Sequence, residues 1–331
     1  MSFKANVNAA YDNTTIIGTD TNRFRENATA FVYNNSFEFK DSMKQANEYT
    51  YDANGNLTKD LNKNITGISY NCLNLPNTVT FSDGSTITYI YGADGTKLRT
   101  VHKIGSTTTT TDYCGNVIYE NGVQKLLLTE EGYITLSDSK YHYYLKDHQG
   151  NNRVVISQSG TVEETNHYYP FGGAFASTSN VQPYKYNGKE LDTKQGLNWY
   201  DYGARHYDAA LGRFTTNDPL AEKYYSMSPY TYCADNPVKF IDPNGMEYAP
   251  GDLFKTKRAA AKDWGMYYNG ASIIRKREMG SSIYEVKQKG KLKGYSYSAA
   301  NEGEHSVSIS LPPNGERFVG SIHSHGDADA E

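Results

Sequence analysis

Residues 51–60 read YDANGNLTKD: Tyr51, an aspartate, a turn at Asn54-Gly55, then the start of an alternating strand. The pattern returns downstream. Tyr70 opens YNCLNLPNTVTF, Tyr91 opens YGADGTKLRTV and Tyr113 opens YCGNVIYENG, at steps of 19, 21 and 22 residues. Each unit is an aromatic, a tight turn and an alternating strand. Asn-Gly and Asp-Gly between such strands predict two-residue hairpins, because both central residues need positive φ. A hairpin cannot bury its apolar face alone, so successive units must stack. The expected architecture is mainly β, with a curled antiparallel sheet over residues 49–182. Residues 1–48 are weakly patterned, apart from a strand-like alternation at 30–40.

Composition agrees with many short strands. The 331 residues include 30 Tyr and 29 Gly; Tyr favours strands and Gly favours turns. A net charge of −4 gives no general attraction to nucleic acid or to an anionic membrane. Cys72, Cys114 and Cys233 are far apart and form neither a disulfide framework nor a zinc knuckle. The first residues, MSFKANVNAAYDNTT, have no basic-then-apolar signal segment, and no apolar run is long enough to span a bilayer. His142, His148 and His167 lie in separate hairpins without ligand spacing, so they read as ordinary sheet histidines rather than metal ligands.

The repeat units resemble the tyrosine-aspartate (YD) repeats of the Rhs (rearrangement hot spot) family, YDANGNL most closely. That resemblance implies a partial Rhs β-shell enclosing a C-terminal passenger. The few units here fall short of a closed shell, which implies a piece of a longer protein or a decayed copy. The turn at Tyr169-Pro170-Phe171-Gly172 fits the same family.

Residues 183–246 carry two Asp-Pro steps, at Asp218 and Asp242, on either side of an aromatic run. Two carboxylates brought together cannot both ionise cheaply, so one keeps a proton and the pair can act as acid and base on a peptide. Alternatively, each Asp-Pro is only a turn initiator. The order of PYKYNGKE, GLNWY, YGARHYD, LGRF, DPL and DPNGM resembles the Rhs repeat-associated core. The resemblance implies autoproteolysis by Asp218 and Asp242, cutting between Met246 and Glu247, with Arg205 or Arg213 as orienting charges. The sequence departs from the family at Ala221, where glycine is usual, and at Met246, where leucine is usual. Methionine can fill the same pocket. An alanine matters if that backbone position needs positive φ.

Residues 247–331 change pattern. Gly251-Asp252 predicts a helix start with Asp252 as N-cap. Leu253, Ala260, Trp264 and Tyr267 form an apolar face, and Asn269-Gly270 predicts the helix end. Strands are predicted at 272–276, 282–287, 294–298, 306–311 and 318–323, which makes a small α+β domain. The last of these strands ends in His323-Ser324-His325. Residues two apart on a strand share a face, so the two imidazoles can grip one divalent metal, for which zinc is suited. A water on such a zinc has its pKa lowered to about 7.

This segment resembles the JAB/MPN (JAMM) metallopeptidase motif, and the whole of 247–331 is similar to the domain DUF4329. The resemblance implies His323 and His325 as zinc ligands and Glu278 as general base, with Glu285 as runner-up. The motif's Ser and third-ligand Asp lie further downstream than the six residues after His325 allow, with Asp327 and Asp329 closer than the motif requires.

Three functions follow. The first is the C-terminal part of a bacterial Rhs polymorphic toxin, secreted or surface-borne by a specialised route. It has an autoproteolytic core, a metal-dependent hydrolase passenger acting on a target-cell protein, an immunity protein and secretion machinery. The second is a structural or adhesive surface protein without catalysis. The third is a truncated, inactive copy.

Overall fold

The computed structural model of the chain describes residues 39, 41, 43–224, 227–250, 254–275, 277–288, 291–303, 307–309, 312 and 316–324. The chain is mainly antiparallel β. Strands from β1 (Tyr49–Tyr51) to β14 (Ala174–Ser177) form one 14-stranded sheet in chain order. The predicted strand at 30–40 lies outside the described residues, apart from Phe39.

The loops explain the repeat. After β1, the Gly55 N–H donates to the Asp52 carbonyl at 3.0 Å, and the Asp52 N–H donates to the Asn56 carbonyl at 2.9 Å. Asp52 Oδ1 accepts the N–H groups of Asn54 and Asn56 at 2.9 and 2.8 Å. Only Gly55 of the Asn54-Gly55 pair has positive φ, at +79°. This is a type I turn followed by a left-handed residue, so the two-residue hairpin expected here is corrected. The same backbone pattern closes 71–74, 92–95 and 147–150. The two-residue form occurs instead at Asn121 and Gly122 (φ 52° and 79°), between β8 (Val117–Glu120) and β9 (Val123–Thr129).

The inner face of the first repeats buries Leu57, Ile65, Val79, Ile87 and Tyr89 against Leu197 and Trp199 of the junction. The junction builds its own four-stranded sheet from β15 (Glu190–Asp192), β16 (Trp199–Asp201), β17 (His206–Asp208) and β18 (Arg213–Phe214). Charges tie the two sheets together. Lys97 reaches Glu190 at 2.8 Å and Asp201 at 2.6 Å, and Lys63 reaches Asp208 at 2.7 Å.

Behind the junction sheet, Tyr186, Tyr200, Tyr202, Tyr207, Phe214 and Tyr232 form a buried aromatic cluster. Tyr207 and Tyr232 pack tilted by 30° with centroids 4.1 Å apart, and Tyr202 meets Phe214 edge-on at 5.7 Å. Such pairs contribute about 0.5–1.5 kcal/mol each beyond area burial. The cluster continues past a short ladder of β19 (Phe240–Ile241) with β20 (Ala249–Pro250) into the last domain.

There, helix α1 (Lys257–Arg275) packs on a sheet ordered β22 (Lys291–Tyr297), β21 (Glu278–Gln288), β23 (Asn301–Gly303), with β24 (Arg317–Ser324) also pairing with β21. The helix differs from its prediction. Residues 251–253, including the expected cap Asp252, lie outside the described residues. The helix begins at Lys257, runs through Asn269-Gly270 and occupies the positions 272–275 expected as strand. Its buried face is Ala260, Trp264 and Tyr268, one position from the expected Tyr267. An interior glycine costs about 1 kcal/mol relative to alanine, less than the ~1.5–3 kcal/mol that burying one large apolar side chain contributes. Tertiary packing by Trp264 and Tyr268 therefore carries the helix through both Gly265 and Gly270. The 282–287, 294–298 and 318–323 predictions fall within or overlap β21, β22 and β24. Of 306–311 only 307–309 are described. They are not a strand, and Val307 and Ile309 cover Gly280 of β21. No helix among the described residues is long and apolar enough to cross a membrane.

Candidate functional site

Asp218 follows the junction sheet in a turn. Its Oδ1 accepts the Leu220 N–H at 2.7 Å, and its carbonyl accepts the Ala221 N–H at 3.0 Å. Asp242 follows β19. Its Oδ1 accepts three backbone N–H groups in a row: Asn244 at 3.1 Å, Gly245 at 2.6 Å and Met246 at 3.2 Å. Gly245 is required there. Its φ is +78°, and a Cβ would stand 3.0 Å from the Arg205 backbone nitrogen. Both aspartates are thus turn initiators.

They are also a pair. Each aims its second oxygen at the same guanidinium: Arg205 Nη2 lies 3.0 Å from Asp218 Oδ2 and 3.7 Å from Asp242 Oδ2. Arg205 is buried over the Phe214 ring, 3.6 Å from its centroid. Its Nε donates to the Gly245 carbonyl at 2.5 Å and its Nη1 to the Pro229 carbonyl at 3.0 Å. One side chain therefore contacts both carboxylates and the backbone of the turn that carries Met246. Burial pushes the Asp242 carboxyl up to about 6, against the pull of Arg205 and the backbone N–H donors. Burial also raises Asp218, again opposed by Arg205.

Met246 lies beside the pair. Its N–H is held by Asp242, and the Glu247 N–H donates to Asn244 Oδ1 at 3.3 Å. A cavity of about 20 Å³ is lined by Arg205, Asp218, Tyr224, Asp242, Met246 and Tyr248, among others. That is room for a single water. Ala221 opens the 3-10 turn Ala221–Lys223 and is not left-handed, so alanine fits where the family's glycine was expected. Arg213 is not brought to the aspartates. It is exposed, pairs with the Thr231 backbone and lies near Tyr51. Asn244, Tyr224 and Cys233 join the site although the sequence reading did not assign them. Only the Asp-Pro-Asn-Gly run signalled Asn244, and nothing in the spacing signalled the other two.

The second expected site is less assembled. Gly280 of β21 pairs with His323 of β24, and Glu278, two residues along β21, shares that face. His323 is exposed and Glu278 half-buried. Glu285 is placed elsewhere, with Lys287 at 3.4 Å and Arg317 at 3.7 Å. His325, Asp327 and Asp329 lie outside the described residues. Among the described residues no three His, Cys, Asp or Glu side chains gather as a metal group, so these residues alone do not supply a zinc donor set. Of the other histidines, His142 stacks on Tyr133 at 4.4 Å and bonds Glu163 at 2.6 Å, as a sheet histidine does.

No family model matches the chain. In sequence it is 32% identical over 236 residues to salivary gland surface protein 1 of Aedes aegypti, covering 62% of this chain and 7% of that protein. It is 36% identical over 99 residues to toxin subunit YenC2 of Yersinia entomophaga, covering 28% of the chain and 10% of the subunit. With toxin subunit YenC1 of the same organism it shares 30% over 120 residues, 34% of the chain and 12% of the subunit. Among solved structures, TcdB2-TccC3 and its complex with Cdc42 each match at TM-score 0.51 and 21% identity, covering 59% of this chain and 11% of that one. The chain thus spans about a tenth of these relatives or less. Its sequence is similar to toxin subunits, and over more than half of its length it shares the fold of TcdB2-TccC3, which supports the resemblance to Rhs-type toxin proteins.

Proposed function

We propose that the chain is the C-terminal part of an Rhs-type toxin protein whose junction is an aspartate autoprotease cutting Met246–Glu247. The supporting observation is the convergence of Asp218, Asp242 and Arg205 on a one-water cavity beside Met246. Asp218, ion-paired at 3.0 Å, takes the proton of the attacking water. Asp242, its pKa raised to about 6, gives its proton to the Glu247 nitrogen. The C–N bond breaks and one water is consumed. Residues 247–331 become a separate passenger, and its export, immunity partner and target-cell substrate belong to the longer parent protein. Wild type, Asp218→Asn and Asp242→Asn, expressed in parallel, test this on a denaturing gel. Two fragments from wild type and one band from each variant are expected; equal cutting in all three would sink the dyad.

A non-catalytic surface role is favoured by one observation, the 62% coverage by a relative named a surface protein. It predicts no cut in any of the three.

A further inference from the structure

We propose that Tyr224 is a third catalytic group of this centre, whose hydroxyl donates a hydrogen bond to the oxygen that becomes charged when water adds to the Met246 carbonyl. The inference rests on the autoproteolytic reading and deepens it.

Tyr224 is 5% exposed and lines the cavity with Asp218, Asp242 and Met246. Its hydroxyl is buried and has no hydrogen-bond partner among the described residues. Buried hydroxyls in native proteins nearly always have one. The neighbouring tyrosines obey that rule. Tyr186 donates to the Pro170 carbonyl, Tyr200 to Gly172, Tyr207 to Phe171, and Tyr202 to Asn187 Oδ1. Tyr224 departs from that rule, at the wall of the cavity beside Met246.

The backbone N–H donors at Met246 and Glu247 and the Arg205 guanidinium are engaged. The N–H groups of Met246 and Glu247 go to Asp242 and Asn244. Arg205 spends bonds on Gly245, Pro229 and Asp218. An unassigned donor held by packing, here against the Tyr248 ring at 5.7 Å, is preorganised for charge that develops only in the transition state. Burial, reinforced by the Glu247, Asp218 and Asp242 carboxylates, raises the phenol further, so it keeps its proton and acts as donor.

The step balances. As the water oxygen bonds to the Met246 carbonyl carbon, its proton passes to Asp218 and the carbonyl electrons move onto the oxygen facing Tyr224. Collapse restores the carbonyl and breaks the bond to the Glu247 nitrogen, which takes the Asp242 proton. Tyr224 neither gains nor loses a proton.

Tyr224→Phe in the full chain removes the hydroxyl and keeps the ring. Self-cleavage is followed by quantitative gel after a pH jump, alongside wild type and Asp242→Asn. Loss of one such donor slows reaction about 10²–10³-fold. We expect that slowing, with the melting temperature at or above wild type because an unpartnered group has been removed. A variant that cuts at the wild-type rate would overturn the role of Tyr224 and leave the dyad standing. A lower melting temperature would show that the hydroxyl has a structural partner, and would also overturn it. An uncut wild type would overturn both.

Discussion

Asp242 couples the proposed chemistry of the junction to its stability. Its carboxyl is raised to about 6 by burial, so the folded chain binds a proton that the unfolded chain, with an aspartate pKa near 3.9, does not. Its stabilising contribution is fully present below the unfolded value and is lost as pH rises through about 6. Between pH 4 and 7.5, wild type should therefore lose stability relative to Asp242→Asn by on the order of 1–3 kcal/mol. Urea titrations at both pH values check this, and parallel curves for the two proteins would contradict it. Cleavage should follow the same group, slowing above pH ~6 as the acid form is depleted. Arg205 is the counterpart. Removing a buried charge that faces two carboxylates costs about 3–5 kcal/mol, so Arg205→Leu should lower the unfolding midpoint strongly. Lysine should not rescue it, because a single ammonium cannot serve Gly245, Pro229 and Asp218 from a planar fork. At this scale the sequence indicated both aspartates through their prolines and Arg205 through its motif. It offered Arg213 equally, because charge in a sequence carries no direction. Tyr224 was hidden among 30 tyrosines, since an unmade hydrogen bond exists only in three dimensions.

The element that carries the proposed scissile bond is the turn Asp242-Pro243-Asn244-Gly245-Met246. Gly245 holds φ +78° with Arg205 and Tyr202 against it. Gly245→Ala forces a side chain into that conformation at a cost of about 1–2 kcal/mol and displaces the Asp242 N–H cradle. Cleavage should drop with stability, as measured on one sample by gel and thermal melt. Cleavage at the wild-type rate would show that the cradle does not align the bond. The repeat sheet was legible because its units recur at nearly constant spacing. Its turns were less so. Asn-Gly closes a two-residue hairpin at Asn121-Gly122, whereas the Asp52 side chain selects a longer, Asx-capped loop at Asn54-Gly55. The helix runs past its expected end at Asn269-Gly270 for a tertiary reason. Trp264, buried and bonded to Ser281 at 2.6 Å, anchors α1 on β21 regardless of the glycine further along.

In the whole molecule, the proposed cut falls inside a continuous core. Tyr232 and Phe240 before it share one apolar cluster with Tyr248, Trp264 and Tyr297 after it. The β19–β20 ladder also crosses the cut, and Lys239 pairs with Asp263 at 3.1 Å. Cleavage should therefore leave the two fragments associated, eluting together in size exclusion and separating only in denaturant. Separate elution in native buffer would show that this core does not hold them. None of this docking was visible in the sequence, where the same aromatics read only as two unrelated domains. The central claim is the cut itself, and intact mass of the freshly purified chain tests it most directly. Two species ending at Met246 and beginning at Glu247, absent from Asp242→Asn, are predicted. A single full-length mass for wild type, held at pH 5 to 6 where the acid form is populated, would contradict the account.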